Sequence, residues 1–200
     1  MFLALQPFIL ASASPRRQEL LRTAGIPHEV RVAPNEAAPR LGEAPADYAL
    51  RAARGKALSV FSEMGNAAKR AAILAADTIV VLNERILGKP KDHAEALLML
   101  RALAGGKHTV ITACCLLAGS VEDSFYVESA VHMWQAPDEL LSAYADTDEP
   151  LDKAGGYAIQ GSTGFLIRSI HGSWSNVVGL PLAEVVQKLL IHKVILPSHV

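Results

Sequence analysis

Cysteine is nearly absent from this 200-residue chain: there are two, Cys114 and Cys115, and they are neighbours. Adjacent Cα atoms lie about 3.8 Å apart, below the usual disulfide span, so the pair reads as buried thiols in the apolar run 110–117. The seven histidines are scattered, and His192 and His199 are too far apart for a zinc-type HExxH pair. No apolar run approaches the ~20 residues of a membrane span. An excess of one charge is missing too. Nineteen basic residues against twenty acidic ones leave a formal net charge of −1, which offers no general attraction to nucleic acid or anionic lipid. Aromatic residues make up only 6% of the chain, leaving few platforms on which bases of a single strand stack. Neither GxxxxGK[ST] nor GxGxxG occurs. Any anion must therefore be bound locally, by a few converging groups.

Half of the residues are hydrophobic and a fifth are charged, the composition of a globular chain and one long enough for a single domain over residues 1–200. Residues 1–13 are apolar and end in Ala11-Ser12-Ala13, superficially like a signal peptide. However, no basic residue precedes the stretch, Pro7 interrupts it and Arg16-Arg17 follow at once. A first buried strand at residues 8–11 and a cytoplasmic, reducing setting are the expectation.

Short apolar runs alternate with longer amphipathic ones, which predicts an α/β fold. Strands are expected at 8–11, 110–117, 126–133 and 165–170. A further strand covers 72–75 and 79–82, interrupted at Asp77 and Thr78, and is followed by a turn over 82–87. Helices are expected at 16–23, 46–61, 92–103 with Asp92 as cap, 137–144 and 182–192. Residues 31–45 and 65–68 read as loops. The glycine-punctuated stretch 148–164 reads as a loop enclosing a short strand at 157–159.

Four constellations carry chemistry. Ser12-Ala13-Ser14-Pro15-Arg16-Arg17 sits between a strand and a helix. It suits either a polyphosphate at a helix N-terminus or a plain serine cap with solvated arginines. Asp77 and Thr78 fall inside an apolar run, where a carboxylate is either a strand-end turn residue or one that binds a hard cation or activates water. Gly88-Lys89-Pro90 presents one lysine on a constrained turn. The segment 148–161, with Lys153, Gly155, Gly156, Gln160 and Gly161, has the composition of a loop wrapped around something polar.

Taken together and in order, these segments resemble the Maf family of nucleoside triphosphate pyrophosphatases. So do Gly179-Leu180-Pro181-Leu182 and the Arg51-x-Ala53-x-x-Lys56-Ala57 helix. The resemblance covers residues 8–190. It implies a mixed α/β sheet in two lobes around a deep cleft, related to the inosine-triphosphatase-like architecture. It also implies a homodimer and a divalent cation such as Mg2+, Mn2+ or Co2+. By the same resemblance Asp77 is the catalytic acid, and Ser12, Arg16, Arg17, Lys56 and Lys89 bind phosphate. The metal falls to Asp77 and Glu36, although Asn35-Glu36-Ala37 carries one acidic residue where the family commonly has two in succession.

Arg16, Thr78 and Gln160 match the subfamily acting on dTTP and UTP. The 7-methyl-GTP subfamily carries Trp, Gln and Glu at those places. Gln160 has a donor and an acceptor for the edge of a neutral pyrimidine, so modified pyrimidines such as 5-methyl-UTP or pseudo-UTP fit the same expectation. Three alternatives are set against this reading: a non-hydrolytic nucleotide-binding regulator of septum formation, a 7-methyl-GTP pyrophosphatase and an RNA-binding module. Asp77 with Lys56 and Lys89 favours an enzyme over a binder, because hydrolysis needs a base and charge neutralisation. No nucleic-acid or membrane partner is expected.

Overall fold

The computed structural model describes residues 1–33 and 38–198. The chain divides into two compact units. The first comprises Met1–Asp77, Thr112–Val127 and Gly179–Val200, and the second comprises Thr78–Ile111 and Glu128–Val178. In chain order the elements are β1 (Phe2–Ala4), β2 (Phe8–Ala11), α1 (Pro15–Thr23), β3 (Glu29–Arg31), α2 (Pro45–Met64), β4 (Ala72–Leu82), β5 (Arg85–Leu87) and α3 (His93–Leu103). They continue with β6 (Lys107–Ala118), β7 (Val121–Met133), α4 (Asp138–Ala145), β8 (Ile167–His171), α5 (Trp174–Val178), α6 (Leu182–Ile191) and β9 (Ile195–Pro197).

The main sheet has seven strands in the order β3-β2-β4-β6-β7-β8, with β5 added on β4. It is mixed, as an α/β chain predicts: β2 runs parallel to β3 and β4, while β5 and β8 pair antiparallel with β4 and β7. β1 and β9 form a separate antiparallel pair. In the first unit Phe8 to Ala11 of β2 are buried without exception. Ile73 and Leu74 of β4, Ala53, Ala57 and Val60 of α2, and Val185 and Leu189 of α6 are buried as well. The core of the second unit gathers Val80, Leu100, Leu103, Val110, Met133, Leu141, Tyr144, Tyr157 and Leu166.

Four expectations are corrected. β4 is one unbroken strand through Asp77 and Thr78, because its backbone ladder is indifferent to a single polar side chain. The turn at 82–87 is a hairpin whose Asn83 and Glu84 both take positive φ, the conformation that matches strand twist in two-residue connections. Residues 157–159 are not a strand. Gly155 and Gly156 turn the chain at φ of 71° and 72°, and Gly161 N donates to Ala158 O, closing a tight turn instead. Gly65–Arg70 is a 3-10 helix rather than a loop. β1 precedes β2 but is largely exposed, so residues 8–11 are the first buried strand, as expected. The short elements β1, β3, β5, α5 and β9 carry too few residues for a periodic pattern to register.

Helix α3 starts as its sequence predicts. Asp92 accepts a hydrogen bond from Glu95 N at 2.8 Å, satisfying one orphan donor of the first turn. Glu95 in turn accepts from Lys91 N. Asp92→Ala is expected to lower stability by about 1 kcal/mol and Asp92→Ser by much less, read from urea-unfolding midpoints.

Candidate active site

In the first unit the turn after β2 builds an anion-ready helix start. Pro15 opens α1, and Ser14 caps it without a side-chain bond. The hydroxyl of Ser12 accepts from Ser14 N at 3.2 Å and from Arg17 Nη1 at 3.1 Å. With both lone pairs engaged, its hydrogen is left as a donor.

The two arginines differ in setting. Arg17 is buried, and its guanidinium donates to Gly179 O at 2.7 Å, Ala76 O at 2.8 Å and the Ser12 hydroxyl. These oxygens offset the cost of taking the charge out of water. Arg16 is half-buried and forms no hydrogen bond or ion pair among the described residues. A first turn with no acidic residue and two basic ones opposes the helix dipole. The buried carbonyls compensate Arg17, whereas Arg16 has no such partner among the described residues.

Ala76, which holds Arg17, is followed by Asp77. On β4, β2 pairs along Ala72 to Leu74 and β5 along Val80 to Leu82, and Asp77 lies in the interval between. Its side chain is nearly buried and its Oδ1 accepts from Lys56 Nζ at 2.6 Å. Lys56 comes from α2, on the turn after Arg51. Oδ2 has no hydrogen-bond partner among the described residues. The structure thus joins Ser12, Arg17, Lys56 and Asp77 in one hydrogen-bonded neighbourhood of the first unit.

Arg51 has a structural task of its own. Its Nε and Nη2 donate to the two carboxylate oxygens of Glu43 at 2.6 Å each, and Nη2 donates also to Ala38 O. Its guanidinium holds the Glu43 carboxyl down to about 2. The segment before α2 is thereby fastened to the helix that carries Lys56. Glu36 lies outside the described residues. Among the described residues no group of three His, Cys, Asp or Glu side chains is gathered as a metal cage.

In the second unit, Thr78 continues β4, Lys89 is exposed directly after β5, and Gln160 is exposed on the crest of the 158–161 turn. Gly155 N donates to Gly88 O at 3.0 Å, tying the glycine-rich segment to the residue before Lys89. Both cysteines are free and buried, and burial pushes the Cys114 thiol up to about 12, so neither serves as a nucleophile. Sequence reasoning missed the Gly179 carbonyl as a partner of Arg17. The signal was the Gly179-Leu180-Pro181 run, but nothing local reveals where it docks. Among the described residues no helix is long and apolar enough to cross a membrane.

Residues 7–191 match the family described as Maf-like protein. A protein of Oleidesulfovibrio alaskensis named dTTP/UTP pyrophosphatase is 48% identical, covering 98% of this chain and 90% of its own. Relatives with the same name are 48% identical in Nitratidesulfovibrio vulgaris, covering 94% and 89%, and 44% identical in Exiguobacterium sibiricum, covering 92% and 91%. Among solved structures, the Ham1 protein of Staphylococcus aureus superposes on 64% of this chain and 72% of its own, at 12% identity and a TM-score of 0.39, too distant to bear on the fold.

The two arginines should separate in experiment. Arg17→Ala strands buried acceptors and is expected to cost on the order of 3 kcal/mol of folding stability. Arg16→Ala is expected to stay within about 0.5 kcal/mol of the parent. Urea unfolding of both variants measures the difference.

Proposed function

The chain belongs to the Maf family, and on that footing we propose that it is a nucleoside triphosphate pyrophosphatase hydrolysing dTTP and UTP to the monophosphate and pyrophosphate. The observation that carries the reading is the near-full-length identity to relatives bearing that name. The Lys56–Asp77 pair agrees with it. Hydrolysis needs a base oriented by a charge partner, which a non-hydrolytic binder does not.

In the proposed reaction the triphosphate meets the α1 N-terminus, the Ser12 hydroxyl and the Arg16 guanidinium, with Lys56 sharing the negative charge; Lys89, in the second unit, is assigned to phosphate by the family resemblance alone. Arg17 acts on the phosphates through Ser12, whose hydroxyl it orients. Water attacks the α-phosphorus, and Asp77 Oδ2 accepts its proton while Lys56 fixes the orientation of the carboxylate. The α–β phosphoanhydride bond breaks and the β,γ pair leaves as pyrophosphate, its charge met by the basic side chains. By the family resemblance alone, Arg16, Thr78 and Gln160 are the positions that set the base preference. An amide reads the N3–H donor and O4 acceptor of uracil or thymine, and Arg16 disfavours a cationic methylated purine.

A divalent cation fits the residues present. Asp77 offers a hard oxygen donor, and a cation of the Mg2+ type is held by one or two carboxylates with substrate phosphates supplying the rest. Asp77 and Glu36 would hold Mg2+, Mn2+ or Co2+, which when bound supplies charge neutralisation on the triphosphate. The proposal includes a homodimer and a cytoplasmic setting, consistent with two free thiols. No nucleic-acid or membrane partner is part of it.

The test is a panel of UTP, dTTP, CTP, ATP, GTP and 7-methyl-GTP with purified full-length protein and Mg2+, Mn2+ or Co2+. Phosphate is read with and without added inorganic pyrophosphatase. Pyrophosphate as direct product and a preference for dTTP and UTP are expected. Orthophosphate as direct product overturns the bond assignment, and 7-methyl-GTP exceeding both pyrimidines overturns the base assignment. Asp77→Asn is expected to fold and to lose about a hundredfold or more in kcat. Near-normal turnover would move the base to Glu36.

A further inference from the structure

The second unit holds a buried polar pair that the proposed reaction does not use. His108, the second residue of β6, and Tyr157, in the glycine-rich segment, are 4% and 6% exposed. Their rings meet edge-on, with centroids 5.3 Å apart and planes at 78°, and His108 Nε2 lies 2.5 Å from the Tyr157 hydroxyl. The surroundings are apolar: Tyr157 belongs to the cluster of Leu100, Leu103, Val110 and Met133.

We propose that His108 and Tyr157 are positioning residues that fix the Gln160 turn in the orientation needed to tell a uracil or thymine edge from cytosine. This rests on the reading of Gln160 as the group that meets the base.

The path of the chain makes the pair a pin for that turn. Gly155 and Gly156 bring the segment in at positive φ, a flexible entry with no side chain to hold it. Tyr157 is the first residue after them with a side chain to anchor. Beyond it Ala158 is buried, and its carbonyl accepts from Gly161 N at 3.2 Å and Thr163 Oγ1 at 3.4 Å. On the far side the Glu149 carboxylate takes Ser162 N at 3.2 Å and the Ser162 hydroxyl at 2.6 Å. Gln160 therefore stands exposed between two pins, Tyr157 and Ser162.

Apolar packing alone would fill the same space without fixing rotation or register, because it has no directional requirement. A hydrogen bond between two buried rings is made in one arrangement only, and sliding the turn leaves buried polar atoms unpaired. Burial keeps His108 neutral by lowering it to about 4, so the bond is constant near neutral pH.

Discrimination draws on this fixity, because the turn sets where along the base edge the Gln160 carboxamide is placed. A carboxamide presents one acceptor and one donor, and rotating it by half a turn exchanges them. In one orientation it complements N3–H and O4 of uracil. In the other it complements N3 and the N4 amine of cytosine. A loosely held Gln160 would read both.

The test uses full-length Tyr157→Phe, His108→Leu and His108→Gln, in steady-state kinetics with UTP and CTP and in amide hydrogen exchange without nucleotide. Tyr157→Phe and His108→Leu are expected to raise KM for UTP about tenfold and to reduce the UTP-over-CTP ratio of kcat/KM by a similar factor, with kcat within about twofold. His108→Gln, which returns a hydrogen-bonding group, is expected to regain part of the ratio. Exchange should quicken across residues 157–163 in Tyr157→Phe while α3 keeps its parent rate. Should His108→Leu fail to fold, Tyr157→Phe carries the test. An unchanged ratio with unchanged exchange overturns the proposal, as does a fall confined to kcat. If the parent protein turns over neither UTP nor dTTP, the functional reading fails and the specificity role falls with it. In that case faster exchange in Tyr157→Phe still registers the pin on the turn.

Discussion

One buried guanidinium organises the first unit. Arg17 joins the turn after β2, through Ser12, to the backbone of β4 at Ala76 and to Gly179 before α6, a partner 162 positions away in sequence. Its planar fork suits divergent carbonyl acceptors, which a lysine point charge would not satisfy together. The consequence is local and chemical. The Ser12 hydroxyl accepts from both Arg17 and Ser14 N, and the residue beside Ala76 is the carboxylate that pairs with Lys56.

Asp77 shows how a long strand carries a functional group at low structural cost. An isolated ionised carboxylate in an apolar strand is expensive to bury. Here the expense is limited by placement between two stretches of strand pairing and by the Lys56 ammonium. α2 supplies that ammonium because Lys56 is embedded among Ala52, Ala53 and Ala57, small residues that are all buried. A larger residue at Ala53 or Ala57 would disturb the same helix face. Arg51, earlier on the same helix, holds the segment from Ala38 to Glu43.

The second unit solves a different problem, holding a glycine-rich segment built of short 3-10 helices and turns with no strand or α-helix. It does so with a few directional bonds: Gly155 N to Gly88 O, His108 to Tyr157, and Glu149 to Ser162. Lys153 contributes by donating to Glu149 O at 2.7 Å from a nearly buried position. Glycines confer the path, and the polar anchors remove the freedom that glycine brings.

Most of the regular elements were legible from apolar periodicity. The strand at 8–11 and the helices around α1, α2, α3, α4 and α6 follow from period and from caps such as Asp92 and Pro137. Those signals are local, set by residues a few positions apart. The supposed break at Asp77 and the supposed strand at 157–159 were misread because side-chain polarity is a poor guide to backbone pairing. The chemistry-bearing residues were legible as types: a carboxylate among apolar residues, paired arginines at a helix start, a lysine on a turn. Their partners were not. Arg17 with Gly179, Lys56 with Asp77 and His108 with Tyr157 are 162, 21 and 49 positions apart. Such pairs exist only once the strands have taken their order, because a buried hydrogen bond needs a partner within about 3 Å and a direction to match. The amino-acid sequence by itself determined which groups are present and which local elements carry them. Only the tertiary structure decided that Arg17 is committed to backbone carbonyls while Arg16 has no partner among the described residues, since burial and directional pairing depend on the folded path of the whole chain.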